Sequence, residues 1–205
     1  MATTNDQTTY STISQPSVAE FKDRGSKFIA YAYPIETAAD FKKLLQQLKK
    51  EHPKAAHHCF AYRLGTDENN FRMSDDGEPS GTAGRPILGQ IDSRELTNVL
   101  VVVVRYFGGT LLGVPGLINA YKTATSMALQ VVAPVKKQVE LRYNIAFDYT
   151  QMNEVMRILK LYHCTIESQE MQLFCNITAG IPKSRLQEVL YGLKELQQVE
   201  TEKCK

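Results

Sequence analysis

The sequence predicts an α+β protein of two domains, on three observations. Val99 to Val104 is an aliphatic run without polar alternation, which marks a strand covered on both faces. From residue 139 to 203 the apolar period switches repeatedly between two and about 3.6, as strands and helices in quick succession require. Between these regions, Pro134 to Gln138 is a short polar break, so we expect a first domain over 1–135 and a second over 138–205. A chain of 205 residues and 23.1 kDa fits one large or two modest cores.

In the first domain, Met1 to Thr9 reads as a polar lead-in. Tyr10 to Lys22 and Lys27 to Tyr33 flank the turn composition Asp23-Arg24-Gly25-Ser26 and predict a hairpin, with Pro16 making its first arm irregular or an edge. Thr37-Ala38-Ala39-Asp40 is a capping box, and Phe41, Leu44, Leu45 and Leu48 form the helix stripe behind it. His58 to Leu64 is a short strand, residues 65 to 85 are loop, and Arg85 to Ile91 is a short helix with Pro86 at its first position. The aliphatic strand leads into a Gly-rich loop, Gly108 to Gly116. A helix follows, with Leu117, Ala120, Tyr121, Ala124, Ala128 and Val131 inward, ending near Pro134.

The second domain is the more regular. Val139, Leu141, Tyr143, Ile145 and Phe147 alternate along a strand. Thr150 caps a helix with Met152, Val155, Met156 and Leu159 on one stripe. Cys164 to Met171 and Leu173 to Ile181 are two further strands. Pro182 opens a second helix with Leu186, Val189, Leu190, Leu193 and Leu196 on one side, and Val199 to Lys203 is the last strand. The order βαββαβ is that of the ferredoxin-like split unit.

Composition narrows the function by exclusion. No apolar run approaches the about 20 residues needed to span a bilayer, and the amino terminus lacks the basic start and apolar stretch of a secretory signal, so a cytoplasmic protein without a membrane is expected. The net charge is +2, and the two regions split at 135/136 carry 14 basic against 13 acidic and 10 against 9 side chains. Neither region has the dense basic face of a protein bound by counterion release, so any nucleic-acid contact must be local. Cys59, Cys164, Cys175 and Cys204 lack zinc-ligand spacing and read as reduced thiols filling apolar space.

Three constellations can carry chemistry. Ser74 to Pro86 holds Asp75, Asp76 and Glu78, then Ser80, Gly81, Thr82, Gly84 and Arg85. Its acidic half suits a divalent ion and its second half offers amides and a guanidinium to an anion, although an Asx-rich turn running into a helix uses the same residues. No Lys-Ser/Thr follows the glycines, which excludes a Walker-type loop. The second constellation is Arg105-Tyr106-Phe107-Gly108-Gly109-Thr110, where glycines let backbone approach a ligand or simply allow tight strand-to-helix packing. A guanidinium ending a valine run needs a committed acceptor; Asp75, Asp76 or Glu78 would supply it and bring the two loops together. Third is His57-His58-Cys59. Neighbours on a strand face opposite ways, so these histidines cannot readily share a metal ion, and one of the two, left open by the sequence, can face the loops as a donor or proton carrier.

Arg24-Gly25-Ser26-Lys27-Phe28, His57-His58-Cys59 with Ala61-Tyr62-Arg63, the loop Ser74 to Pro86, and Val103 to Gly109 with Ala120-Tyr121 together resemble the IMPACT/YigZ family of translation-associated proteins. The resemblance spans residues 17 to 132 and continues into a carboxyl-terminal domain like that of bacterial members. It implies a first domain with a β-α-β sandwich fold shared with a ribosomal protein and elongation factor G, and a second similar to that factor's ferredoxin-like fifth domain. It also implies translational control, which eukaryotic relatives exert through a partner of a stress kinase.

The expected function is therefore non-enzymatic: binding RNA, a ribosome or a translation factor through an anion-competent cleft. Arg105, Arg85, Ser80, Gly81, Thr82, Gly84, Gly108 and Gly109 would hold a phosphate, and Tyr62, Tyr106 or Phe107 would stack on a base. No cofactor or resident metal is expected on this reading. The alternative is a small-molecule enzyme on a phosphorylated or acidic substrate, with Asp75, Asp76 and Glu78 holding Mg²⁺ or acting as base, and His58 as a further catalytic candidate.

Overall fold

The structure is a computed structural model, and it describes residues 7–67 and 69–204. Residues 1–6 of the expected lead-in lie outside the described residues; Thr9 already opens the first strand. The chain divides into two compact units, one over Tyr10–Lys137 and one from Gln138 onward together with residues 7–9.

The first unit contains β1 (Thr9–Ile13), β2 (Ser17–Asp23), β3 (Ser26–Pro34), α1 (Ala38–Glu51), β4 (His57–Arg63), β5 (Phe71–Ser74), α2 (Gly84–Asp92), β6 (Val99–Tyr106), α3 (Gly113–Val131) and β7 (Pro134–Gln138). Five strands form one sheet in the order β2-β3-β6-β4-β5, each neighbouring pair antiparallel. β6 is central, and Val99 through Val104 are all buried. Leu100, Val102 and Val104 pack with Phe41 and Leu48 of α1, whereas Val99, Val101 and Val103 pack with Ile87 and Ile91 of α2 and Leu117 and Ala124 of α3. The absence of alternation in the sequence reflects these two covered faces.

Several local expectations are corrected. The first hairpin arm breaks at Pro16, and its outer part, β1, pairs with β7 in a separate two-stranded sheet. The polar break Pro134 to Gln138 is therefore itself a paired strand, at the end of the first unit. Residues 65 to 85 are not all loop, because β5 extends the sheet beside β4. The last helix of the first unit begins at Gly113, so the Gly-rich loop is shorter than Gly108 to Gly116. Val131 is 64% exposed, and Leu129 and Val132 take the inward positions near that helix end. The hairpin turn itself follows its composition: Arg24 and Gly25 have φ of 45° and 79°, the left-handed pair of a two-residue turn between β2 and β3. Thr37 and Asp40 form the capping box of α1.

The second unit contains β8 (Glu140–Asp148), α4 (Met152–Leu161), β9 (Thr165–Glu170), β10 (Phe174–Pro182), α5 (Leu186–Lys194) and β11 (Val199–Lys203). The sheet order β11-β8-β10-β9, antiparallel throughout, is the ferredoxin-like arrangement. Ile145, Phe147, Ile177 and Ile181 face Val155, Leu159, Val189 and Leu193 of the two helices. Two cap assignments change. Asp148 accepts from the Thr150 amide at 2.9 Å and initiates the turn before α4, and Pro182 ends β10 while a 3₁₀ turn, Lys183–Arg185, leads into α5. Among the described residues no helix is long and apolar enough to cross a membrane.

Candidate functional site

The α2/α3 face of the five-stranded sheet ends in a buried polar cluster. Odd-numbered positions of β6 point to this face, so the parity that buries Val99, Val101 and Val103 delivers Arg105 beside them, 5% exposed. Its Nη1 donates to Glu78 Oε1 at 2.6 Å, and the Tyr121 hydroxyl from α3 donates to the same oxygen at 2.7 Å. Arg105 Nη2 donates to Ser26 Oγ at 3.4 Å, and that hydroxyl oxygen also accepts the Gly108 amide at 3.2 Å. The guanidinium lies 5.4 Å from the Phe28 ring centroid and 5.5 Å from that of Phe107. Four segments distant in sequence thus meet on one ion pair.

The acidic loop reaches this cluster because its other carboxylates fold it. Asp75 Oδ1 accepts the amides of Ala83 and Gly84 at 2.9 and 2.8 Å, and Oδ2 accepts that of Gly81 at 2.9 Å. Asp75 is therefore the remote cap of α2, whose own N-cap, Ala83, has no side chain to give. Burial alone would push the Asp75 carboxyl up, but these three amides outweigh it and hold the carboxyl below its ordinary value. Asp76 takes φ of 42°, which Asp tolerates, and its Oδ2 accepts the His58 amide at 2.7 Å. Gly84 passes so close to Ser74 that an added Cβ would meet the Ser74 nitrogen at 2.9 Å. At Gly108 a Cβ would sit inside the backbone of Gly25 and Ser26, which makes the glycine a condition of joining this loop to the hairpin turn.

His57, not His58, faces the cluster. Its Nδ1 donates to the Asp76 carbonyl at 2.8 Å, leaving Nε2 3.8 Å from Glu78 Oε1. His58 points to the α1 face, where burial lowers its pKa and Nε2 has no hydrogen-bond partner. Tyr62 and Tyr106 also belong to the α1 face; the Tyr106 hydroxyl meets His52 Nδ1 at 2.8 Å. Neither tyrosine can stack beside Glu78 and Arg105, because period two along each strand places it across the sheet. Phe107, 52% exposed, is the exposed aromatic on the cluster's side, beside the buried Phe28 and Tyr121. Arg85, Ser80, Gly108 and Gly109 are exposed, while Thr82 is buried and donates its hydroxyl to the Pro79 carbonyl at 2.7 Å.

Tyr121 and Ser26 are site residues that the sequence does not single out as binding groups. Tyr121 had a signal: a phenol in the alanine stripe of Ala120, Ala124 and Ala128 needs a buried hydrogen-bond partner. Burial pushes both the Tyr121 phenol and the neighbouring Cys59 thiol far up, so both keep their protons; Cys59 Sγ lies 3.0 Å from the Asp75 carbonyl. They act as hydrogen-bonding groups, not as nucleophiles. Mg²⁺ does not fit the acidic loop, because Asp75 spends both oxygens on amides, Glu78 is paired and Asp76 holds the His58 amide. Among the described residues no group of three or more His, Cys, Asp or Glu is placed around a common ion position.

The cluster from Ser26 to Tyr121 falls within residues 24–129, the span matched by the Impact N-terminal domain model. The chain belongs to the IMPACT family. An IMPACT family member from Haemophilus influenzae is 36% identical over 180 residues, covering 87% of each chain. The IMPACT family member YigZ from Escherichia coli is 32% identical over 169 residues, covering 82% of this chain and 81% of its own. A crystal structure of a hypothetical protein matches 97% of this chain and 98% of that one with a TM-score of 0.76 at 27% identity. The similarity to bacterial IMPACT family members thus takes in most of the chain.

Proposed function

We propose that this IMPACT family protein is a cytoplasmic, translation-associated regulator that works by binding, through the loops fixed over the Glu78–Arg105 pair. The observation that carries this reading is the internal bonding of the cluster: Arg105 and Glu78 pair with each other and Asp75 with loop amides, which makes them scaffold, while the buried Arg105 Nε has no partner. What the scaffold presents is Phe107, Leu111 at 81% exposure, and the exposed Gly108 and Gly109. An aromatic ring beside exposed glycine backbone suits an unstacked RNA base and its phosphate. Arg105 is a support for that surface and not its phosphate ligand, and Arg85 is the exposed guanidinium of the acidic loop.

Ribosome co-sedimentation and filter binding of single-stranded RNA at low salt test the proposal. Phe107→Ala should weaken association by about tenfold, the worth of one stacked base. Absence of association by wild type in both assays, or full retention by Phe107→Ala, rejects it. A second reading, the small-molecule enzyme, draws support from His57 Nε2 beside Glu78, an acid–base pair with a 23% exposed imidazole. Turnover of a phosphorylated substrate that His57→Gln abolishes would favour that reading instead.

A further inference from the structure

The open face of the four-stranded sheet, opposite α4 and α5, carries a charge pattern that the IMPACT family assignment does not explain. Register and alternation place Glu140, Arg142, Asn144, Ala146 and Asp148 of β8 on this face. Phe174, Asn176 and Thr178 of β10 join them, with Glu170 of β9 and Glu200 and Glu202 of β11 at the two sides. Glu167, at the β9 bulge, reaches the same face and takes Arg142 Nε at 2.7 Å. Six carboxylates and one guanidinium therefore share the face; Glu167, Glu140 and Asp148 are bonded to Arg142, the Thr165 hydroxyl and the Thr150 amide, which leaves Glu170, Glu200 and Glu202 as the exposed ones available to a partner.

This pattern excludes one use of the face and favours another. A βαββαβ sheet that takes RNA on its open face needs aromatic and cationic groups there, and phosphates would be repelled by this one. The face is not uniformly polar, however. Ala146, Phe174, Gln198 and Glu200 line a shallow pocket beside Asp148, and Phe174 is 76% exposed, with Leu173 beside it at 75%. An apolar notch rimmed by exposed acids calls for a ligand that brings both an apolar anchor and cations.

We propose that this sheet face docks a Lys/Arg-rich protein segment whose apolar side chain enters the Ala146–Phe174 notch while its cations meet Glu170, Glu200 and Glu202. The proposal rests on the second unit alone and is independent of the loop surface assigned to RNA. The test uses the full chain and fluorescence anisotropy with a labelled Lys-Leu-Lys-Lys repeat peptide, its Glu-Leu-Glu-Glu counterpart and a single-stranded RNA oligonucleotide. The basic peptide should bind and the acidic one should not. Glu200→Lys with Glu202→Lys should weaken binding by about tenfold, and Phe174→Ser should weaken it without changing net charge. Glu154→Lys with Glu188→Lys, on the helices, supplies the same charge change away from the face and should leave affinity within about twofold. Equal weakening by the helix pair reduces the effect to net charge and overturns the proposal. So does unaltered binding by Phe174→Ser, or RNA binding that Phe174→Ser abolishes. Sedimentation velocity closes the remaining route: a wild-type dimer that Phe174→Ser dissociates makes a second copy the occupant, and the proposal falls.

Discussion

The two sheets treat charged side chains in opposite ways. In the five-stranded sheet, helices cover both faces, and the charge at its end is sealed: Arg105 and Glu78 are 5% and 8% exposed and paired with each other. In the four-stranded sheet one face receives no helix, and Glu170, Glu200 and Glu202 stand exposed on it. Buried, a lone charge is expensive enough that Arg105 dictates the path of three loops. Exposed, the same residue types dictate no path and are free to act on a partner.

The sharpest way to break this contrast is to remove one half of the sealed pair. Arg105→Met leaves Glu78 buried without its cation and should cost about 3–5 kcal/mol, read from hydrogen exchange of the Val101 to Val104 amides. Adding Glu78→Gln should recover part of that loss, since the stranded charge is then gone. A cost below about 1 kcal/mol for the single variant would mean that the pair behaves like an exposed one, and the contrast would fail. A smaller effect, about 3 kcal/mol, is expected from Leu159→Ala in the second unit, where a fully buried leucine joins α4 to the sheet. Its readout is exchange of the β8 and β10 amides. A loss well under 1 kcal/mol would show that this thin core collapses around the missing side chain.

The sequence spoke most clearly wherever periodicity meets a covered surface. The β6 valines, the α1 capping box and the βαββαβ order were all legible, because in each a local pattern is enforced by burial or by backbone hydrogen bonds. It was silent where long-range pairing decides. Nothing local says that β1 leaves its hairpin to pair with β7, or that β5 forms inside a loop of polar residues. The site shows the same divide. That Arg105 needs an acceptor could be argued from its valine neighbours, whereas the choice of Glu78 over Asp75 and Asp76 depended on which carboxylates the backbone amides claim first. Strand parity chooses His57 over His58 and turns Tyr62 and Tyr106 away, a choice the sequence leaves open because it shows that neighbours alternate without saying which parity faces the loops.

Asp75 sharpens the comparison at its gentlest point, because it is a charge satisfied by amides and not by a cation. Asp75→Asn keeps the shape but loses the carboxylate that accepts from Gly81, Ala83 and Gly84, and should cost about 1–2 kcal/mol near neutral pH. The sign of its pH dependence follows from the depressed carboxyl: the folded state binds the proton less readily than the unfolded chain, whose ordinary value is 3.8. The stabilisation is therefore complete above that value and lost as pH falls through the lower, folded one. Urea midpoints of wild type and variant should differ by a constant amount from about pH 5 to 7 and converge below about pH 4, as the wild-type carboxyl gains its proton and comes to resemble the amide. A gap that stays equally wide at acid pH would show that Asn fails through its shape or its added donors, and Asp75 would then cease to count as a charge used to build the loop.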